Sequence, residues 1–122
     1  METERFEQLV AKAIESLPEE ILERLENVDV VVADKPAPEQ LRREDIAKGE
    51  TLLGLYEGVP LTERTSGYSF VVPDRITIFQ KPIEADCKND SEIVTAIQHV
   101  VQHEIAHHFG IDDDRLEELG KY

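Results

Sequence analysis

The first apolar pattern in the chain has the period of an α-helix. Apolar residues three and four positions apart predict an amphipathic helix over residues 3–16. Pro18 and the two acidic residues after it predict the start of a second, short helix, because proline and carboxylates are favoured in a first helical turn. The apolar stripe of the first helix consists of Phe6, Leu9, Val10, Ala13, Ile14 and Leu17.

Three stretches rich in β-branched and apolar residues predict strands. "VDVVVAD" (28–34) predicts a mostly buried strand, "TLLGLYEG" (51–58) a second strand, and "RITIFQKPI" (75–83) a third. Residues 35–50 carry two prolines and a glycine, and they predict a connection with about one helical turn. Residues 59–74 contain the turn signal "TSG" and predict an irregular loop or hairpin.

The longest helix is predicted over residues 89–110, with Asp90 or Ser91 as its N-cap and Gly110 as its stop. A last short helix is predicted after it. The element order is therefore α, α, β, β, β, α, α, without repeats or a linker. This order predicts an α+β fold with a small sheet, built as a single domain over residues 1–122.

Charge and cysteine content narrow the function classes. The chain has 13 basic and 27 acidic residues, a net charge of −14, and such a chain repels the phosphates of a nucleic acid. Cys87 is the single cysteine, so no internal disulfide can form. The N-terminus has no basic region followed by an apolar run, and no stretch reaches membrane-spanning length. We therefore expect no signal peptide, no membrane association and a cytoplasmic location.

The histidines of the long helix differ in direction when the helix is viewed at 100° per residue. Glu104 points along the apolar arc, His107 lies within that arc, and His103 lies at its edge. A buried carboxylate without a partner is costly, so a cation or metal beside Glu104 is the natural explanation. The same projection predicts that His108 is a core histidine and that His99 either lies at the surface or supports a metal ligand without binding the metal itself.

The spacing of His103 and His107 suits a metal ion. Two histidines four residues apart project from one helix face on successive turns, so their imidazoles can share one Zn²⁺. Glu104, next to the first histidine, can reach a water on that metal and act as general base. The residue types and the spacing of H-E-x-x-H both match what metal-assisted hydrolysis needs.

A catalytic zinc needs a third protein ligand and one open position for water. Gly110 allows the chain to reverse after the helix, so that an acidic residue a few positions later can face the two histidines. Asp114 and Glu117 have capping-box spacing and suit the start of the next helix. The third ligand favoured by this arrangement is Asp113, with Asp112 and Asp114 as the alternatives.

Four stretches of the chain together resemble the small bacterial zincin-like metallopeptidase family, whose extended motif is H-E-x-x-H-x-F-G-x-x-D. They are "VDVVVAD", "LLGLYEGVPLTERT", "VVPDRITIFQKPIE" and "HEIAHHFGIDDDRLEELG", and the resemblance extends over about residues 5–120. It implies a compact minimal zincin fold with a small mixed sheet packed against the active-site helix. It also implies Zn²⁺ bound by His103, His107 and Asp113, with Glu104 as general base.

These observations predict a zinc-dependent metallopeptidase that hydrolyses peptides or unfolded proteins. Its substrate would lie along an exposed sheet edge, and residues 55–68 would form either the rim of the cleft or an ordinary structural loop. Tyr56, Tyr68 and Arg75 are the candidates to assist at the substrate carbonyl.

Two other functions are compatible with the motif. One is a different metal-dependent hydrolase, similar to the bacterial endoribonucleases of rRNA maturation, although the acidic surface argues against RNA. The other is a protein-binding module in which a metal only stabilises the fold.

Overall fold

The structure is a computed structural model that describes residues 1–47, 50–58 and 73–110. Most of the loop predicted at 59–74, and the short helix predicted after Gly110, lie outside these residues. Within the described ranges, none of the helices is long and apolar enough to cross a membrane. The elements in chain order are α1 (Thr3–Glu15), α2 (Glu19–Arg24), β1 (Val28–Ala33), α3 (Pro38–Arg43), β2 (Gly54–Glu57), β3 (Asp74–Phe79), α4 (Gln80–Asp86) and α5 (Asp90–Phe109).

The three strands form a mixed sheet in the order β1-β3-β2. β1 runs parallel to β3, with Val30 opposite Ile76, and β2 runs antiparallel to β3, with Tyr56 opposite the same residue. The predicted α+β fold with a small mixed sheet is confirmed. β3 is the central strand, and both of its faces are covered over residues 76–79, which are all buried. A strand covered on both faces buries consecutive side chains. This is why residues 76–79 of β3 do not alternate between buried and exposed positions, as the residues of a half-exposed strand would.

Two predictions about the strands were wrong in detail. β1 lies at an edge of the sheet, none of its six residues is fully buried, and Val31 is 37% exposed. Its valines therefore reflect strand propensity and not a central position. The third strand ends at Phe79, and the chain continues directly into α4, which contains Pro82. Proline is tolerated there because the first N–H groups of a helix have no partner within the helix.

The core lies between the sheet and the two longest helices, α1 and α5. Gln98 Nε2 of α5 donates a hydrogen bond to the carbonyl oxygen of Ala13 in α1, at 3.1 Å. The N-cap of α5 is Asn89, one residue before the predicted caps, and its side chain accepts a hydrogen bond from the Glu92 N–H at 2.9 Å. The core residues with no exposed surface are Phe6, Ala13, Ile21, Ile76, Ile78, Ile83, Ile97, Val101 and Ile105.

β2 makes an unusually close approach to α5 at Gly54. A β-carbon added to Gly54 would collide with Val100 Cγ1 of the helix, and it would lie 3.2 Å from the carbonyl oxygen of Thr77 in β3. Only a residue without a side chain fits between the strand and the helix at this point. The approach brings the next residues of β2 level with the last two turns of α5.

We expect Gly54→Ala to destabilise the protein, because the added methyl group must move either β2 or α5. Overpacking of this kind costs about 1–3 kcal/mol, and urea denaturation of the variant would measure the loss in the free energy of unfolding. Gly58→Ala is the matched control, since among the described residues the nearest atom to its added β-carbon is Asp74 Oδ1, at 3.7 Å. A loss for Gly54→Ala no larger than that for Gly58→Ala would show that the contact is not tight.

Candidate metal centre

The H-E-x-x-H residues occupy the last two turns of α5. His103 and His107 are exposed, one turn apart, and Glu104 between them is half-buried. The helix therefore turns its glutamate towards the protein and both histidines towards solvent. The exposure of His107 differs from the projection, which placed it within the apolar arc, because burial of α5 ends at Ala106. The predicted inward direction of Glu104 is confirmed.

Glu104 has a hydrogen-bond partner on the edge strand of the sheet. The backbone N–H of Tyr56 in β2 donates to Glu104 Oε1 at 2.9 Å. Burial raises the pKa of the Glu104 carboxyl above its usual value, while the Tyr56 N–H bond and the nearby His103 and His107 lower it. The carboxylate is thus partly removed from water, held in one orientation, and placed beside both imidazoles.

Tyr56 is also fixed through its side chain. Its hydroxyl group donates a hydrogen bond to Asp74 Oδ2 at 2.6 Å, and its ring stacks on the ring of His108 with 3.9 Å between centroids and 18° between planes. His108 is exposed, so the prediction of a core histidine was wrong. The helical projection gives the direction of His108 but not its neighbours. It could not show that, at the last turn of α5, this direction leads to the Tyr56 ring and not to the core.

The end of α5 lies beyond the buried part of the helix. Phe109 is 41% exposed, contacts the Tyr56 ring edge-on at 6.2 Å, and has the guanidinium of Arg24 5.3 Å from its ring centroid. Gly110 then ends the helix with φ 73° and ψ 25°, and its N–H donates to the carbonyl oxygen of Ala106. The predicted stop at Gly110 is confirmed, and the left-handed conformation is the reason for glycine there.

The described part of the motif provides two imidazoles and one carboxylate on the last turns of α5. Imidazole nitrogen is a preferred zinc ligand, and a neighbouring carboxylate that is not a ligand suits a general base, so the donor set is chemically compatible with zinc. Across residues 1–47, 50–58 and 73–110, no three His, Cys, Asp or Glu side chains form a group that could hold a metal ion. A three-ligand centre on His103 and His107 therefore needs its third donor from elsewhere. The predicted ligand Asp113, like its alternatives Asp112 and Asp114, lies outside the described residues.

A cavity of about 380 Å³ opens beside the motif. Residues 51–54 form one wall, and one side of α5 forms the other, including His103 and Glu104. His99 lies one turn before His103, with 6.4 Å between the ring centroids, and it is exposed as predicted. This cavity gives a ligand access to the carboxylate and to the first histidine from the side of β2.

The three residues predicted to assist at the substrate carbonyl lie in different places. Tyr56 lies at the site, but its hydroxyl group is directed to Asp74. Arg75 is exposed on β3 and does not line the cavity, and Tyr68 lies outside the described residues. The contributions of Gly54 and of the Tyr56 backbone amide were not predicted. A glycine inside a strand pattern is the one signal that could have indicated the close approach of β2.

Comparison with known proteins assigns the family. The model of the zincin-like metallopeptidase family matches residues 25–122, most of the chain. This chain is a member of the zincin-like metallopeptidase family. A solved structure with a similar fold is a conserved hypothetical protein from Thermo thermophilus, which is 22% identical. The match has a TM-score of 0.55 and covers 89% of this chain and 94% of that one. None of the curated proteins is a significant match.

The glycine that ends the motif helix in this member of the zincin-like metallopeptidase family gives a testable prediction. Gly110→Ala should lower the free energy of unfolding by about 1 kcal/mol, because an alanine in the left-handed region is strained. Within the part of the chain that the structure describes, no atom lies within 4 Å of a β-carbon at this position, so the cost expected from these residues is conformational and not steric. Gly110→Asn should cost less, since asparagine tolerates this conformation better. Equal costs in urea denaturation for alanine and asparagine would contradict this explanation.

Proposed function

We propose that this protein is a zinc-dependent peptidase in which Glu104 is the general base and His103, His107 and Asp113 are the zinc ligands. Membership of the zincin-like metallopeptidase family supports the reaction class. The assignment of individual roles is ours, and it rests on the residues around the H-E-x-x-H motif.

The observation that carries the proposal is the position of Glu104. Its carboxylate lies between two histidines on one helix and the backbone amide of Tyr56 on an edge strand, and it lines a cavity. A structural carboxylate that only stabilises the fold has no need of an adjacent cavity or of two neighbouring imidazoles. A general base must reach a reacting group from a fixed orientation, which the Tyr56 amide and the adjacent cavity provide, and the two imidazoles can hold the metal that activates the water.

The roles of the side chains in hydrolysis follow from this geometry. When bound, zinc would activate a water and polarise the carbonyl group of the substrate. Glu104 would take a proton from the attacking water and pass it to the leaving amide nitrogen. The Tyr56 N–H holds Oε1 and thereby leaves Oε2 for the proton. Partial burial raises the pKa of the carboxyl towards the range in which it can both accept and return a proton.

The proposed substrate is an extended peptide that pairs with the edge of β2 that faces away from β3. The carbonyl oxygen of Leu53 accepts a hydrogen bond from the Phe79 N–H, so the backbone groups of Leu53 face β3. Alternation along an antiparallel pair then directs the N–H and C=O groups of Gly54 and Tyr56 away from β3. An extended peptide can add to such an edge through its main chain. The net charge of −14 would favour the approach of basic or neutral peptides over acidic ones.

Glu104→Gln tests the proposed base. We expect the variant to retain one zinc per chain while its kcat/KM on cleaved peptides falls by about 10²–10⁴-fold, because glutamine cannot accept the proton. Zinc stoichiometry by elemental analysis and hydrolysis of a broad peptide library would be measured on the same preparations. His103→Ala and His107→Ala should lose both zinc and activity.

The matched control is His108→Ala, which removes an exposed imidazole one residue from the motif that the proposal does not assign to the metal. It should retain zinc. A zinc-loaded wild-type protein that cleaves no member of the library would contradict the peptidase assignment and favour a metal-stabilised binding module. Loss of zinc in His108→Ala as severe as in His107→Ala would contradict the ligand assignment.

A further inference from the structure

A second pair of histidines lies on the motif helix, and the proposed function gives this pair no role. His99 and His103 are both exposed on successive turns of α5, with 6.4 Å between their ring centroids and 49° between their planes. They are separated by four residues, as His103 and His107 are. One side of the helix therefore carries two overlapping pairs, and His103 belongs to both.

The distance between the rings of His99 and His103 suits a shared metal ion. At Zn–N distances of about 2.0–2.1 Å, two imidazoles on a tetrahedral zinc have ring centroids roughly 5 Å apart. The two rings must therefore approach each other by about 1 Å to hold one ion. Exposed side chains change rotamer on the picosecond to nanosecond timescale, so this approach requires no movement of the helix backbone.

The surroundings of His99 attract cations. His99 lines the cavity that also contains Glu104, and it lines a second cavity of about 320 Å³. Asp86 and Glu92 line that second cavity. Their carboxylates and the net charge of −14 both favour the approach of a positive ion to His99.

The number of donors limits the affinity of this pair. Across residues 1–47, 50–58 and 73–110, no three His, Cys, Asp or Glu side chains form a group that could hold a metal ion, so these ranges supply two ligands, His99 and His103. Water would complete the coordination, and an ion held by two imidazoles exchanges more readily than one held by three protein ligands. The pair therefore suits a site through which a metal passes and not one that retains it.

We propose that His99 and His103 form an entry site for Zn²⁺, from which the ion passes to the H-E-x-x-H pair through the shared ligand His103. The inference rests on the proposed zinc peptidase, because the transfer needs a tighter centre at His103 and His107. In the transfer, a nitrogen of His99 leaves the metal and a nitrogen of His107 takes its place, while His103 remains bound. The ion moves by about one helical turn, roughly 6 Å along the exposed side of α5.

The entry site is tested by itself in the full-length His107→Ala variant, which lacks a ligand of the tighter centre. We expect isothermal titration calorimetry to show binding of Zn²⁺ and tighter binding of Cu²⁺, since imidazole sites follow that order. Mg²⁺ prefers oxygen ligands and should not compete. His99→Ala/His107→Ala should bind Zn²⁺ at least about tenfold more weakly, because even residues that only support a metal ligand are worth about 10–100-fold in affinity.

His107→Ala/His108→Ala is the matched control, since it removes an exposed imidazole of α5 that belongs to neither pair. Its affinity for Zn²⁺ should equal that of His107→Ala. Circular dichroism of each variant verifies that the helices are retained. The ion at the entry site is removed by gel filtration, so purified His107→Ala still contains no zinc in elemental analysis.

The transfer is tested by the rate of zinc uptake. Metal-free wild-type protein and metal-free His99→Ala are mixed with Zn²⁺ in a stopped-flow instrument, and a zinc-sensitive dye follows the free ion. We expect His99→Ala to take up zinc several-fold more slowly than the wild-type protein. Both should reach the same final stoichiometry, because His99 is not a ligand of the tighter centre. His108→Ala should take up zinc at the wild-type rate.

The outcomes separate the entry site from the peptidase. Equal Zn²⁺ affinity in His107→Ala and His99→Ala/His107→Ala, or displacement of the ion by Mg²⁺, would overturn the entry site while the peptidase function stands. Uptake by His99→Ala at the wild-type rate would overturn the transfer. A wild-type protein that retains no zinc after gel filtration would contradict the tighter centre and the transfer with it, whereas calorimetry on the His107→Ala variants would still decide whether His99 and His103 bind a metal.

Discussion

The contact between β2 and α5 is the constraint on which the candidate site depends. Gly54 allows the strand to approach the helix so closely that its missing β-carbon would collide with Val100. At this separation the amide of Tyr56, two residues further along the strand, lies 2.9 Å from Glu104 Oε1. A larger residue at position 54 would increase the separation and weaken that bond. The orientation of the carboxylate therefore depends on a backbone contact and not only on the motif itself.

The same contact explains how the helix end is held outside the core. Burial of α5 ends at Ala106, and the residues from His107 to Gly110 are exposed. Their position is secured by ring contacts: Tyr56 stacks on His108 and meets the edge of Phe109, and Arg24 lies over Phe109. The last turn, which carries the second histidine of the motif, is thus attached to β2 and α2 by its surface side chains. Stacked and edge-on ring pairs of this kind contribute directional contacts beyond simple burial.

Much of this arrangement could be predicted from periodicity. The helical spacing of apolar residues located α1 and α5 to within about a residue, and the inward direction of Glu104 followed from the same pattern. Strand position in the sheet could not be predicted, because the valines of β1 suit an edge strand as well as a central one. The helix α4 was missed because a proline in a first helical turn and a proline at a strand end look alike in sequence. His108 was misplaced because its partner, Tyr56, is 52 positions away in the chain.

Tyr56 contributes to the site through three chemically separate groups, its amide, its ring and its hydroxyl. All three belong to one residue of a four-residue strand at the edge of the sheet. Short edge strands are among the first parts of a fold to open locally. When β2 opens, the carboxylate loses its orientation, the last turn of the helix loses its stacking partner, and Asp74 loses the tyrosine hydroxyl in the same event. The geometry of the site therefore depends on the hydrogen bonds that hold this one short strand in the sheet.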